Sequence, residues 1–432
     1  MSENVREIVF DALMLIDEEG RKSHLVVREV LNKYDYLDNA DKNFIKRLTE
    51  GTVQKRITLD YVLDGFAERK MAKCKPAVRE ILRMAAYQIL FMERVPDSAA
   101  CDEAVKLCGK RSRKELSGFV NAVLRKVSEN KDSALIFDDI EDPVIKLSVK
   151  YSLPEELVRL LTKEYDDGEA LIAALSLERP TVVRIVDPAK TDKIVNAWKE
   201  KGILFKKSPI IENAYRLEGF HGAGELPGFD EGLVYIQDES SMLCVRTALE
   251  DAPPDPVILD LCAAPGGKSV YMAELLKGRG SIHSFDVSGE KVALLKMNME
   301  RLQFENVTCE ENDASLRRED LRESADIVVA DVPCSGIGVI SRKSDIKYNI
   351  TNEGMAELCA LQKKIALNAA DCVKPGGLLV YSTCTLHKAE NERTVRYILK
   401  NRPEFSLETE RTLRPDRDDT DGFFVARLRK NG

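Results

Sequence analysis

The chain has 432 residues, 44% of them hydrophobic and 32% charged, with a formal net charge of −8. Such a composition belongs to a globular protein with two to four cores at about 150 residues per domain, and it excludes a disordered chain or a generally basic nucleic-acid binder. No apolar run approaches the length of a membrane span, and Met1-Ser2-Glu3-Asn4 lacks the basic-then-apolar pattern of a signal peptide, so a cytoplasmic location is expected.

Residues 1 to about 130 show apolar residues at helical spacing over Val5–Ile16, Leu59–Phe66, Ala77–Met92, Ala99–Leu107 and Phe119–Val127, which predicts an all-helical module. Charge is uneven within it. From Gly51 to Asn130 there are 16 Lys and Arg against 10 Asp and Glu, densest at Lys106, Lys110, Arg111, Arg113 and Lys114. That cluster would either neutralise phosphates or form a solvated helix face. A polar joint and further helix follow, with a start predicted at Leu153-Pro154-Glu155-Glu156. Next comes a small α/β unit, with strands at Thr181–Val186 and Leu233–Ile236 and a helix at Thr191–Lys201, so that residues 131–236 are expected to form a helical linker and small α/β unit.

From Gln237 to the end, strands alternate with helices. The strands are predicted at Val257–Leu261, Ser281–Asp286, Val307–Glu311, Asp326–Ala330 and Leu378–Ser382. The helices fall at Ser269–Leu276, Gly289–Leu302, Glu353–Cys372 and Asn391–Lys400. This order implies a parallel, Rossmann-like sheet, to which Phe405–Thr412 and Phe423–Leu428 would add an antiparallel pair.

Between the first strand and its helix runs Cys262-Ala263-Ala264-Pro265-Gly266-Gly267-Lys268-Ser269. It ends like a phosphate loop but has Cys262 where that motif needs glycine. Glycines in a strand-to-helix turn let backbone approach a ligand, and the helix N-terminus favours a carboxylate. Asp286, ending the second strand, is placed to accept from ribose hydroxyls, and Asp313, after the third, to reach an adenine amine. Loop and acids together suit S-adenosylmethionine, which has ribose and adenine but no pyrophosphate. Asp331 and Cys334, in Asp331-Val332-Pro333-Cys334-Ser335-Gly336, and Cys384, in Ser382-Thr383-Cys384-Thr385, follow later strands on the same edge.

The segments Asp260–Lys268, Asp331–Gly336 and Ser382–Thr385 resemble the RNA cytosine-C5 methyltransferases that use S-adenosylmethionine. Val95-Pro96-Asp97-Ser98 and Phe119–Arg125 resemble the helical RNA-binding domain of the NusB antitermination factor. A chain joining the two is similar to the Sun/Fmu family of small-subunit ribosomal RNA methyltransferases, and the resemblance covers nearly the whole length. It implies a NusB-like all-α domain over 1–130 and a Rossmann-like catalytic domain over 237–432. It also implies S-adenosylmethionine bound by Cys262–Lys268, Asp286, Asp313 and Asp331, and methylation of a cytosine of small-subunit ribosomal RNA, which a monomer is expected to carry out.

Cytosine C5 is a poor carbon nucleophile until a thiolate adds at C6, which divides one hard step into easier ones. By the resemblance Cys384 adds to the base, Cys334 assists release of methylated RNA, and Asp331 acts beside N3. DNA cytosine methyltransferases use the cysteine of the Pro-Cys pair, so chemistry alone leaves both thiols as candidates. Val332 and Ser344 stand where relatives have proline, and neither removes a reacting group. Transfer RNA or another ribosomal cytosine, or a non-catalytic RNA-binding module, are the alternative functions.

The other cysteines, Cys74, Cys101, Cys108, Cys244, Cys309, Cys359 and Cys372, form no Cys-x-x-Cys pair that would suggest zinc and are expected to be structural. Asp238-Glu239-Ser240-Ser241 fits a helix cap, His387 a lone exposed loop histidine, and Trp198 a packing residue.

Overall fold

The computed structural model describes residues 4–220 and 222–432. They form two compact units, residues 1–177 with 340–349, and residues 178–339 with 350–432. The divide at 177/178 falls inside the stretch expected to be a separate middle unit.

The first unit is helical. Val5–Asp17, Arg56–Phe66, Pro76–Phe91, Asp97–Arg111 and Ser117–Glu129 occupy the predicted positions to within a few residues. Ser23–Lys33 and Asn39–Gln54 were not predicted, because polar residues interrupt their apolar spacing. Their buried Val26, Val27, Ile45 and Leu48 nonetheless complete the core around Leu13, Ile81 and Leu124. A buried Arg83 organises the polar interior: its guanidinium donates to Asp17 and Glu80 at 2.6 Å and makes a fork to Asp60. The segment 340–349 is part of this unit, where Lys347 Nζ donates to the Gln54 carbonyl at 2.7 Å and Tyr348 Oη to that of Val53 at 2.9 Å. Ser344 therefore belongs to the first unit.

The second unit carries two sheets. Strands β1 (Thr181–Ile185), β2 (Leu204–Lys207), β3 (Ala214–Glu218) and β4 (Val234–Ile236) form an antiparallel sheet in the order β2-β3-β1-β4. The sequence pattern showed only β1 and β4, since β2 is exposed at three of its four positions and short of apolar residues. Trp198 anchors this sheet, fully buried against Phe205 and Tyr215 with its indole N–H donating to the Pro227 carbonyl at 3.2 Å.

The larger sheet contains β5 (Val257–Asp260), β6 (Ser281–Asp286), β7 (Val307–Glu311), β8 (Ala325–Asp331), β9 (Val373–Thr383), β10 (Phe405–Leu413) and β11 (Phe423–Lys430), in the order β10-β11-β9-β8-β5-β6-β7. Pairing is parallel from β9 through β7 and antiparallel for β11 with β9 and with β10, so the predicted tail pair extends the sheet. Val328, Val329, Leu379 and Val380 are buried in the middle strands, as expected of strands covered on both faces. The chain reverses its strand order between β5 and β8, and the carboxyl ends flanking that reversal are where open α/β sheets bind ligands. Among the described residues, no helix is long and apolar enough to cross a membrane.

Candidate active site

Five strand ends along this edge carry the predicted residues. After β5 the loop turns into the helix Gly267–Leu276, and Gly266 takes φ 109° at the junction, where a Cβ would come within 2.9 Å of Leu295. Only glycine fits that turn. The loop is held from below by Asp286, whose Oδ2 accepts from the Ala264 amide at 3.2 Å while Lys291 Nζ approaches Oδ1 at 3.2 Å. Asp313 lies beyond β7, where its Oδ1 accepts from the Ser315 amide at 2.9 Å and caps a turn.

A cavity of about 250 Å³ opens beside the loop. Cys262, Ala263, Ala264, Pro265, Gly267 and Lys268 form one wall, and Asp331 and Cys384 lie on another, with Gln237 and Phe423 between them. Gly266, Asp286, Asp313 and Cys334 do not line it. Asp260 does, although fully buried: its Oδ2 accepts from Ser269 Oγ at 2.6 Å, and its Oδ1 has no hydrogen-bond partner among the described residues. Burial pushes this carboxyl up to about 6 against the Ser269 hydrogen bond and the Lys268 charge.

Asp331 ends β8 between two donors, Lys268 Nζ at 2.5 Å and Ser382 Oγ at 2.8 Å. Burial pulls the Lys268 ammonium down, but Asp331 outweighs it and holds the ammonium above its ordinary value. Lys268 therefore keeps its positive charge at neutral pH. The two cysteines meet: Cys334 Sγ and Cys384 Sγ are 3.3 Å apart, and neither is in a disulfide. The hydrogen bond that its S–H gives to Cys384, reinforced by burial and by the nearby Cys384, Glu390 and Asp331 charges, raises Cys334 well above a normal thiol, so it keeps its proton.

The loops bearing these thiols are joined by residues that the sequence had not singled out. Ser335 Oγ and Thr385 Oγ1, each directly after a cysteine, are 2.7 Å apart, and both belong to a buried network around Glu390. Gly338 donates its amide to the Cys384 carbonyl at 3.1 Å, and a Cβ there would lie 2.0 Å from the Gly422 carbonyl oxygen, so these loops pack backbone on backbone. His387 is not the exposed loop histidine expected: its side chain is 12% exposed, and Nδ1 sits 3.2 Å from Glu390 Oε1. Its spacing from Cys384 hid this, because the partner lies further along the chain.

Residues 247–429 match the family model of the 16S rRNA methyltransferase RsmB/F, and residues 3–129 match that of the NusB family. Over 453 residues the chain is 36% identical to the probable ribosomal RNA small subunit methyltransferase B of Bacillus subtilis (strain 168), covering 99% of each. The chain belongs to the RsmB/F family of 16S ribosomal RNA methyltransferases. Among solved structures, PH0851 matches 100% of both chains with a TM-score of 0.83 at 25% identity. A methyltransferase homolog protein from Pyrococcus horikoshii matches 67% of this chain and 100% of its own with a TM-score of 0.58 at 27% identity.

Membership in the RsmB/F family makes the protein an rRNA methyltransferase and gives the helical unit its NusB ancestry. Several sequence expectations outside the site also have structural outcomes. Burial raises the thiols of Cys74, Cys101, Cys108, Cys309 and Cys359, pushes Cys372 up to about 11 and Cys244 up to about 12, and leaves them poor nucleophiles. Asp238 caps the helix Glu239–Leu249 by accepting from the Ser240 amide at 2.9 Å. In the basic cluster, Lys106 pairs with Glu103, Lys110 with Glu7 and Arg111 with Asp11, so part of its charge is met within the helical unit.

Proposed function

We propose that this RsmB/F-family enzyme transfers a methyl group from S-adenosylmethionine to C5 of one cytosine in 16S ribosomal RNA, with Cys384 as the nucleophile, acting as a monomer in the cytoplasm. The observation that carries the assignment is the asymmetry of the thiol pair. Cys384 lines the cavity together with the glycine loop and Asp331, whereas Cys334 lies outside its walls and is held as a protonated thiol.

The residues around the cavity fit the methyl donor. Cys262–Lys268 would hold its amino-acid end at the helix N-terminus and the unpartnered Asp260 Oδ1 could accept from a bound amine, while Asp286 and Asp313, outside the cavity lining at the two neighbouring strand ends, would have to reach its ribose and adenine. When bound, S-adenosylmethionine supplies an electrophilic methyl group on a sulfonium. The protein then prepares the acceptor. Cys384 adds to C6 of a base extruded from its stack, forming an S–C6 bond that gives C5 enamine character, while Asp331, oriented by Lys268 and Ser382, stabilises the adduct at N3. After methylation a solvent base takes the C5 proton, the electron pair re-forms the C5–C6 double bond, and the S–C6 bond breaks to release Cys384 as a thiolate beside the Cys334 S–H.

The test is transfer of labelled methyl to deproteinised small-subunit RNA from cells lacking the protein, with nucleoside analysis. Cys384→Ala is expected to lose 5-methylcytidine formation by at least about 10³-fold. Methylation by Cys384→Ala at the parent rate would overturn the nucleophile, and product at another atom or only on transfer RNA would overturn the substrate.

A further inference from the structure

We infer that Glu390 and Asn391 form a positioning pair that sets the spacing of the two thiols, Glu390 holding the Cys334 loop and Asn391 the Cys384 loop. The inference rests on the reading above that both cysteines take part in the reaction. Its support is the pattern of hydrogen bonds. Glu390 is fully buried and accepts four of them: from the Ser335 amide at 2.9 Å and Gln362 Nε2 at 2.8 Å on one oxygen, and from Ser335 Oγ at 2.5 Å and His387 Nδ1 at 3.2 Å on the other. Gln362 Nε2 also donates to the Pro333 carbonyl at 2.9 Å. The residues before and after Cys334 are thus both tied to one carboxylate.

Asn391 does the same for Cys384. Its Oδ1 accepts from Thr383 Oγ1 at 2.6 Å and its Nδ2 donates to the Thr385 carbonyl at 2.9 Å, the residues on either side of that cysteine. Because the Ser335 hydroxyl donates to Glu390, Thr385 must supply the proton of the 2.7 Å bond between their oxygens, and that bond closes the two halves into one network. Tyr381 Oη fixes the Glu390 carbonyl to β9 at 2.6 Å. Glu390 is a carboxylate at 0% exposure, and a buried carboxylate met by four donors specifies one arrangement. A structure needing only a stable core would place apolar side chains here. Neither Glu390 nor Asn391 lines the cavity, so both act through the cysteines.

The experiment uses the full chain and two variants. Glu390→Gln keeps the shape but turns a donor toward a donor, and Ser335→Ala leaves Glu390 in place while cutting its link to Thr385. Each is treated with diamide, which takes two electrons and two protons from the thiol pair to close a Cys334–Cys384 disulfide and is itself reduced to the hydrazine. Closure is timed by peptide mass spectrometry beside methylation kinetics and thermal unfolding. Both variants are expected to close the disulfide about 10-fold more slowly or worse, with kcat reduced by a similar factor and KM for the methyl donor unchanged. A folded Glu390→Gln that closes the disulfide as fast as the parent overturns the inference, and if that variant does not fold, parent-like closure in Ser335→Ala does so. Slow closure in a protein whose parent methylates no RNA would sustain the positioning pair and refute the proposed reaction instead.

Discussion

Asp260 and Glu390 are both fully buried carboxylates near strand ends of one sheet, yet they are held in opposite ways. Glu390 meets four donors, and although burial pushes it up, His387, Ser335 and Gln362 outweigh burial and hold it below the usual carboxylate range. Asp260 has one donor at Oδ2 and an empty Oδ1, and burial pushes it up to about 6. Depth is the same, so the number of donors decides the charge. The difference follows the division of labour along the edge. Where two thiols must keep one geometry the buried carboxylate is saturated, and where a ligand is to enter, the carboxylate at the cavity keeps unused hydrogen-bonding capacity.

The largest effect that sharpens this contrast is expected at Lys268, which pairs with Asp331 and lines the cavity together with Asp260. Lys268→Met leaves Asp331 with the Ser382 hydroxyl as a donor and removes the ammonium that fixes the carboxyl in place. We expect the single-turnover methylation rate to fall by about 10²-fold or more, at saturating methyl donor. A loss of threefold or less would mean that Asp331 works without its cation.

A smaller effect separates Asp260 from Glu390 by pH. The folded pKa of Asp260 is raised, so its contribution to stability is fully present below the unfolded value near 4 and is lost as pH rises through about 6. Asp260→Asn cannot titrate and should escape that loss, which amounts to about 3 kcal/mol for a shift of this size. Urea unfolding at pH 4 and pH 7 measures it as the change in the gap between variant and parent. An unchanged gap would show that Asp260 is ionised at little cost and that the contrast with Glu390 is false.

Much of this was legible in sequence because the sheet and its loops obey short-range rules. The spans Ser281–Asp286 and Val307–Glu311 follow from apolar runs ending in polar residues, and the glycine loop, Asp331 and both cysteines announce themselves by residue type. Glu390, Gln362 and Ser335 did not. Each is an ordinary polar residue in its own segment, and Gln362 sits in the long helix Asn352–Cys372 at a position that only the packed fold turns inward. Likewise β2 and β3 lacked an alternating pattern because one side of their small sheet is exposed. The contacts that organise the Cys334 loop span 28 to 55 residues, beyond the reach of any local pattern.

The smallest effect tests the same logic at the surface, where depth is absent. Lys110 is prominent in the sequence as part of a basic cluster, and in the fold it pairs with Glu7 at 2.6 Å while its side chain stays 63% exposed. Water already satisfies an ammonium there, and holding two long side chains together costs rotamer freedom, so the pair gains little. Lys110→Gln is therefore expected to change unfolding stability by less than about 0.5 kcal/mol. A loss well above that would mean the pair fixes the helix Asp97–Arg111 against Val5–Asp17, and the rule that saturation matters only in depth would not hold for the helical unit.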